Sequence, residues 1–237
     1  MDSIQYGALR NMLLLDLLEG ERSISNALFP DHNNSNHLLA GPARCGKTSL
    51  LFECAFYAAE NNINVLFITR RKLKELPRFV DERNQPNFQT LKLIEIVYPA
   101  TAKEYLKFIS TCHLKNKKYG LILVDNLDAF YRESATVNIK MAAKLCAHTY
   151  DTITHLRKEG CATFLLCSVT TRPNAYQDGA LDVLQNWLGN LLLVYPHHSG
   201  DGFVIKSESK YVEHESNDDV SIQGVRAIFR DDKIYLQ

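Results

Sequence analysis

The sequence carries no excess of charge: 27 Lys and Arg are balanced by 27 Asp and Glu over 237 residues. That balance excludes a global electrostatic pull on nucleic acid, so any such contact has to come from a local patch. There is no Cys-x-x-Cys among the six cysteines, Cys45, Cys54, Cys112, Cys146, Cys161 and Cys167, and most of them sit inside apolar runs. This argues against a disulfide framework and a zinc site, and for buried thiols in a reducing compartment. No apolar run approaches membrane-spanning length. The leucine-rich stretch Met12–Leu18 is too short for a secretory h-region with a cleavage site, and Asp16 interrupts it. The expectation is a soluble, intracellular chain that makes no use of a membrane. No internal repeat is visible.

What is present is apolar material, 46% of the residues, enough for one large core in a chain the length of one α/β domain. A polar cluster, Asp31–Asn36, separates an N-terminal helical segment, roughly Ala8–Glu19, from the rest of the chain. The expected organisation is residues 1–36 as helical segment and linker, and residues 37–237 as the main domain. Strands are predicted at His37–Ala40, Asn64–Thr69, Leu91–Tyr98, Gly120–Asp125, Ala162–Ser168 and Asn190–Tyr195. Helices are predicted at Lys47–Glu60, Thr101–Cys112, Val137–Lys158 and Ala180–Leu188. Continuous apolar strands alternating with helices predict a mostly parallel central sheet covered on both faces. Lys206–Asp219 reads as a polar, flexible excursion, and Gly224–Leu236 as a C-terminal hairpin turning at Asp231-Asp232.

Gly41-Pro42-Ala43-Arg44-Cys45-Gly46-Lys47-Thr48, with Ser49 next, matches G-x-x-x-x-G-K-[ST]. The predicted strand before it and helix after it give the motif its context. The glycines let the backbone wrap phosphates with its N–H groups inward, and the helix N-terminus adds a favourable dipole. Lys47 is placed to reach the β/γ-phosphates and is expected to be surface-directed; the Thr48 hydroxyl is placed to ligate Mg²⁺. Asp125 ends a fully apolar strand, where a Mg²⁺-side carboxylate belongs. Asp128 is as readily the start of a helix.

Two motifs are missing. Asn126, not Glu, comes after Asp125, so there is no Asp-Glu pair of the kind AAA-type motors use. No N-K-x-D occurs, which argues against a GTPase. A small-molecule kinase stays open, although it needs an arginine-rich lid over the phosphates.

The stretch "VDNLDAFYR" resembles the RecA/RadA recombinases. The segments "VLFITRRKLKELP" (Val65–Pro77), "VYPATAKEYLKFI" (Val97–Ile109) and "LILVDNLDAFY" (Leu121–Tyr131), with the phosphate loop, resemble the SWIM-domain-associated ATPases of the Shu complex, a divergent branch of that family. The resemblance covers roughly Leu38–Tyr131. It implies a RecA-like core, ATP with Mg²⁺ as cofactor, and DNA-stimulated ATPase activity. It further implies a nuclear role in homologous recombination repair, binding to single-stranded DNA, a heterodimer with a SWIM-type zinc protein, and contact with a RecA-type recombinase and its paralogues. Any zinc belongs to that partner.

Two positions depart from a working recombinase. Aligning "LFITRR" with the second strand puts Arg71 where a water-polarising Glu is expected, and the nearest acid, Glu75, lies a helical turn on. Ser168 stands where a γ-phosphate-sensing Gln is expected. General base action contributes about 10²–10⁴-fold, so ATP binding is expected to outlast rapid hydrolysis. Arg71 reads either as a solvated basic residue or as a phosphate-side group with a catalytic effect. Lys47, Asp125 and Arg71 are thus the candidate catalytic residues. A non-hydrolysing, ATP-stabilised scaffold is the alternative.

Local basic clusters are Arg70–Arg78, with Arg70, Lys72 and Lys74, and His113–Lys118. The loop Val169–Gly179 supplies Arg172 and Tyr176, a cation and a stacking ring for a single strand. An ordinary solvated loop is the plain reading. His197-His198 reads as a strand exit, and His113 and His155 as helix-surface residues. Phe52 and Phe56 mimic an F-x-x-A packing element but lie inside the helix after the phosphate loop, where core packing is expected. Leu9, Met12, Leu13 and Leu17 share a helical face that caps either this core or a partner.

Overall fold

The computed structural model describes residues 36–73, 79–80, 87–115, 117–133, 136–171, 179–196, 202–208, 225–230 and 233–236. Within the inner strands, successive side chains go to opposite faces, and both faces are apolar. Leu38, Ala40, Leu66, Ile68, Ile122, Val124, Leu165 and Cys167 join one core cluster. Leu39, Val65, Phe67, Leu121, Leu123, Phe164 and Leu166 join the other. A sheet with two such faces needs helices on both sides.

The elements run β1 (Asn36–Gly41), α1 (Lys47–Glu60), β2 (Val65–Thr69), β3 (Phe79–Val80), α2 (Phe88–Lys92), β4 (Ile94–Val97), α3 (Ala102–Thr111), β5 (Leu121–Asp125), a 3-10 turn (Leu127–Phe130), β6 (Arg132–Glu133), β7 (Thr136–Val137), α4 (Ile139–Lys158), β8 (Phe164–Thr170), α5 (Gly179–Leu188), β9 (Asn190–Pro196), β10 (Gly202–Glu208), β11 (Val225–Arg230) and β12 (Lys233–Leu236). The main sheet has the order β3-β12-β11-β10-β9-β1-β8-β5-β2-β4. From β9 to β4 every neighbouring pair is parallel. Strands β9 to β12 pair antiparallel in sequence.

Helix α1 covers one face, with Phe52 stacked on Phe67 at 4.2 Å between ring centroids. Phe52, Ala55, Phe56 and Ala59 are all buried, so the F-x-x-A-like positions are core. Helices α3, α4 and α5 cover the other face through Tyr105, Ile109, Leu145, Ile153 and Leu184. Tyr105 is fully buried, and its hydroxyl meets Thr149 Oγ1 at 2.8 Å. All six cysteines are reduced and buried. Among the described residues no helix is long and apolar enough to cross a membrane.

Two expectations are corrected. Leu91 and Lys92 lie in α2, not in a strand from Leu91 to Tyr98. Asn87 caps this short helix by accepting the Thr90 amide at 2.8 Å, and extended pairing begins only at Ile94. Lys206–Glu208 are not part of a polar excursion: they continue β10, paired with Leu193, Leu192 and Leu191 of β9. Backbone pairing there outweighs the polarity of the side chains. The C-terminal hairpin is present as β11 and β12. The N-terminal segment Ala8–Glu19 lies outside the described residues.

Candidate nucleotide site

The phosphate loop leaves β1 in the middle of the sheet and ends at the first turn of α1. Gly41 is required by packing: a Cβ there would stand 2.7 Å from Val194 Cβ on β9. Two left-handed residues, Arg44 at φ 62° and Gly46 at φ 79°, curl the loop. Such turns aim successive backbone N–H groups at a common point, the geometry of an anion cradle. Pro42 is half-buried, Ala43 and Arg44 are exposed, and Cys45 is buried beneath the loop.

Lys47 corrects an expectation. It is buried, not surface-directed: its Nζ donates to Gly41 O at 3.0 Å and Pro42 O at 2.6 Å, and lies 3.5 Å from Cys45 Sγ. The apolar stem fills the loop's underside while the ammonium braces the loop's own carbonyls. Burial raises the Cys45 thiol above its ordinary value even though the Lys47 charge opposes the change.

Across the sheet, the Thr48 hydroxyl lies 3.1 Å from Asp125 Oδ1 and 3.0 Å from Oδ2. Asp125 is 3% exposed. Its Oδ1 also accepts from Ser168 Oγ at 2.9 Å, and its Oδ2 from Asn126 Nδ2 at 3.0 Å. Burial raises the Asp125 carboxyl above its ordinary value; the hydrogen bonds from Ser168 and Thr48, the Lys47 charge and Asn126 pull the other way without cancelling it. Asn126 is left-handed at φ 53°, a conformation Asn tolerates. Its Oδ1 accepts from Thr170 Oγ1 at 3.2 Å. Asp128 lies second in the 3-10 turn, after Leu127, and is buried, its Oδ1 accepting the Thr170 amide at 3.0 Å and its Oδ2 standing 3.8 Å from Arg132 Nε. Burial raises its carboxyl as well, against the Thr170 amide and Arg132. The polar chain through Ser168, Thr170 and Asp128 is not evident in the sequence; its signal is the alternation Ser168-Val169-Thr170 at the end of an apolar strand.

Arg70 and Arg71 directly succeed Thr69, the register partner of Asp125 on β2. Arg71 is exposed at that end of the sheet, and so is Lys72. Arg70, read as a DNA contact, has a structural duty: Nε donates to Ala100 O at 2.9 Å and Nη1 donates to Ala129 O. It ties the end of β2 to the loop before α3 and to the 3-10 turn. The second basic cluster is also partly committed, since Lys115 pairs with Glu95 at 2.7 Å. His113 and His155 meet edge to face at 4.7 Å. Lys74, Glu75, Arg172, Tyr176 and His197-His198 lie outside the described residues.

Fold and loop together define a RecA-like P-loop domain. Among solved structures the chain is similar to a DnaB-like replicative helicase described with its interactions with primase, at a TM-score of 0.53 and 12% identity, over 86% of this chain and 57% of that one; the likeness is one of fold. Among curated proteins, 120 residues are 34% identical to human ATPase SWSAP1 and 117 residues are 33% identical to mouse ATPase SWSAP1. These matches take in 50% and 48% of this chain and 51% and 41% of the relatives, so the chain spans about half or less of their length. The resemblance read from the motifs is borne out: the chain is similar to ATPase SWSAP1 over about half its length. No protein-family model matches.

The donor set fits a hard divalent cation. Thr48 and Asp125 offer oxygen only, and Mg²⁺ is typically held by one or two carboxylates together with substrate phosphates. Burial raises the Asp125 carboxyl more than the Lys47 charge and its hydrogen bonds offset, and a cation would supply the further compensation.

Proposed function

We propose that the chain binds ATP with Mg²⁺ and hydrolyses it slowly, as a DNA-binding accessory factor in homologous recombination repair. The observation that carries the nucleotide reading is the convergence of three residues from two elements. Lys47 and Thr48 open α1, Asp125 ends β5, and the Thr48 hydroxyl lies within 3.1 Å of both carboxylate oxygens. In this reading Gly41–Ser49 wrap the phosphates, Lys47 neutralises them, and Thr48 and Asp125 hold Mg²⁺. When bound there, Mg²⁺ would supply Lewis-acid polarisation of the terminal phosphoryl group. The name ATPase SWSAP1 supports ATP as the nucleotide.

Slow turnover is argued from the residues after Thr69. The position where a base belongs is Arg71, and a guanidinium does not accept a proton near neutral pH. The same observation favours the second reading, a non-hydrolysing scaffold stabilised by ATP. The wider role includes the nucleus as its place of action, a SWIM-type zinc protein as heterodimer partner, a RecA-type recombinase and its paralogues as further partners, and single-stranded DNA as ligand. It rests on the resemblance of Leu38–Tyr131. Lys72 and Lys74, with Arg172 and Tyr176, are the proposed DNA contacts, while Arg70 is engaged by Ala100 O and Ala129 O.

The test measures ADP release with and without single-stranded DNA, together with co-elution of a co-expressed SWIM-type zinc protein. Slow release that DNA accelerates, with stoichiometric co-elution, is the expected result. Binding without any release selects the scaffold. Failure to bind ATP overturns both readings.

A further inference from the structure

We propose that Ser168 is a positioning residue for the cation-binding carboxylate and does not read the γ-phosphate. The inference rests on the nucleotide reading and assigns a task inside that site.

Strand β8 lies between β1 and β5, so its C-terminal end lies between the strand that leads into the phosphate loop and the strand that carries Asp125. Ser168 pairs in register with Leu39, two residues before Gly41, which pairs with Thr170. It is therefore recessed behind the loop, and it is 0% exposed. Its hydroxyl engages two neighbours on β5 and the turn after it. The Asn126 backbone N–H donates to Ser168 Oγ at 2.8 Å. Ser168 Oγ lies 2.9 Å from Asp125 Oδ1.

Chemistry fixes the direction of both bonds. A backbone N–H only donates, so the serine oxygen accepts there. A carboxylate only accepts, so the single hydroxyl proton of Ser168 goes to Asp125. No proton is left for a phosphate oxygen, which also only accepts. What remains on Ser168 is a lone pair, which a γ-phosphate cannot use. The side chain at the sensing position is thus committed to the carboxylate beside it.

That commitment has a consequence for the cation. Oδ1 is gripped by Ser168 on the side of β8, and Oδ2 by Asn126 Nδ2 at 3.0 Å. Ser168 also holds the amide of Asn126, the left-handed residue whose side chain supplies that second grip. One hydroxyl therefore fixes the carboxylate directly and through its neighbour, turned toward Thr48. Loss of a hydrogen-bond partner behind a metal ligand typically costs about 10–100-fold in metal affinity.

The experiment titrates Mg²⁺ against the wild-type chain, Ser168→Ala and Ser168→Thr, using fluorescent ATP and fluorescent ADP as separate probes, with parallel titrations in EDTA. The expected result for Ser168→Ala is about a tenfold or larger rise in the Mg²⁺ concentration needed for half-maximal binding. The rise is the same for ATP and ADP, affinities in EDTA are unchanged, and Ser168→Thr restores most of the loss. An effect on ATP alone overturns the assignment and makes Ser168 a γ-phosphate sensor. An equal loss in EDTA overturns it in favour of a general disturbance of the loop. If Ser168→Ala does not fold, Ser168→Cys replaces it, keeping the volume but only a weak donor. A wild-type chain that binds neither nucleotide overturns the nucleotide reading and this assignment with it. A wild type that binds both, with Ser168→Ala indistinguishable, overturns this assignment alone.

Discussion

The Thr48 hydroxyl lies 3.1 and 3.0 Å from the two carboxylate oxygens of Asp125, across 77 residues of sequence. One residue opens a helix and the other ends a strand two places away in the sheet. Thr48→Val and Asp125→Asn each remove one oxygen donor and leave the other in place. Each is expected to abolish the Mg²⁺ dependence of nucleotide binding while weak Mg²⁺-independent binding survives. Titration of a fluorescent ATP analogue in Mg²⁺ and in EDTA checks this, and a preserved Mg²⁺ dependence in either variant removes that residue from the cation site.

Lys47→Ala is expected to lose nucleotide affinity and also some stability. The buried ammonium donates to Gly41 O and Pro42 O, so its removal leaves two loop carbonyls without that partner. Charged hydrogen bonds contribute about 1.5–3 kcal/mol. A net loss of about 1–3 kcal/mol is expected in urea unfolding, since loop relaxation offsets part of it. Unchanged stability with lost affinity would mean that the lysine is held by the loop without holding it.

What the sequence disclosed was local. The loop Gly41–Thr48 and helix Lys47–Glu60 were legible because a glycine spacing and a helical run specify them within twenty residues. Asp125 was legible because an apolar strand ends there. Ser168 was legible as a position but not as a role, because its partners depend on β8 lying between β1 and β5. Leu91 and Lys92 misled because a short capped helix and a strand share the same apolar density before Ile94. Arg70 looked like a free surface charge, and only the fold brings Ala100 O and Ala129 O to it.

Alkaline pH should destabilise the fold through its thiols. Burial pushes Cys112 up to about 11 and Cys146 up to about 12, from an ordinary value of 9.0. Above pH 9 the unfolded chain releases these protons while the folded chain keeps them, so unfolding is favoured as pH rises. The contribution is fully present below pH 9 and is lost progressively between pH 9 and about 12. Cys146→Ala should flatten the pH dependence of urea stability between pH 9 and 11 by about 1 kcal/mol per pH unit. An identical slope in variant and wild type would mean that the thiol ionises without unfolding.

Arg71 tests why this site should hold ATP better than it cleaves it. Strand β2 runs beside β5, Thr69 is in register with Asp125, and Arg71 comes two residues later at the same end of the sheet. A carboxylate there would face attacking water from the strand next to the cation ligand. A guanidinium carries five N–H donors and no acceptor, so it cannot take the water's proton. It is exposed, so its replacement creates no cavity and leaves the core as it is. Arg71→Glu is therefore expected to raise the single-turnover rate of pre-bound ATP toward the about 10²-fold lower end of general-base effects. Nucleotide affinity should stay within a few-fold, because Lys47, Thr48 and Asp125 are untouched. Rapid-quench measurement of both proteins decides the matter. A fast wild-type rate would show that a base lies elsewhere, and a rate that collapses in Arg71→Glu would show that the guanidinium itself stabilises charge on the phosphate.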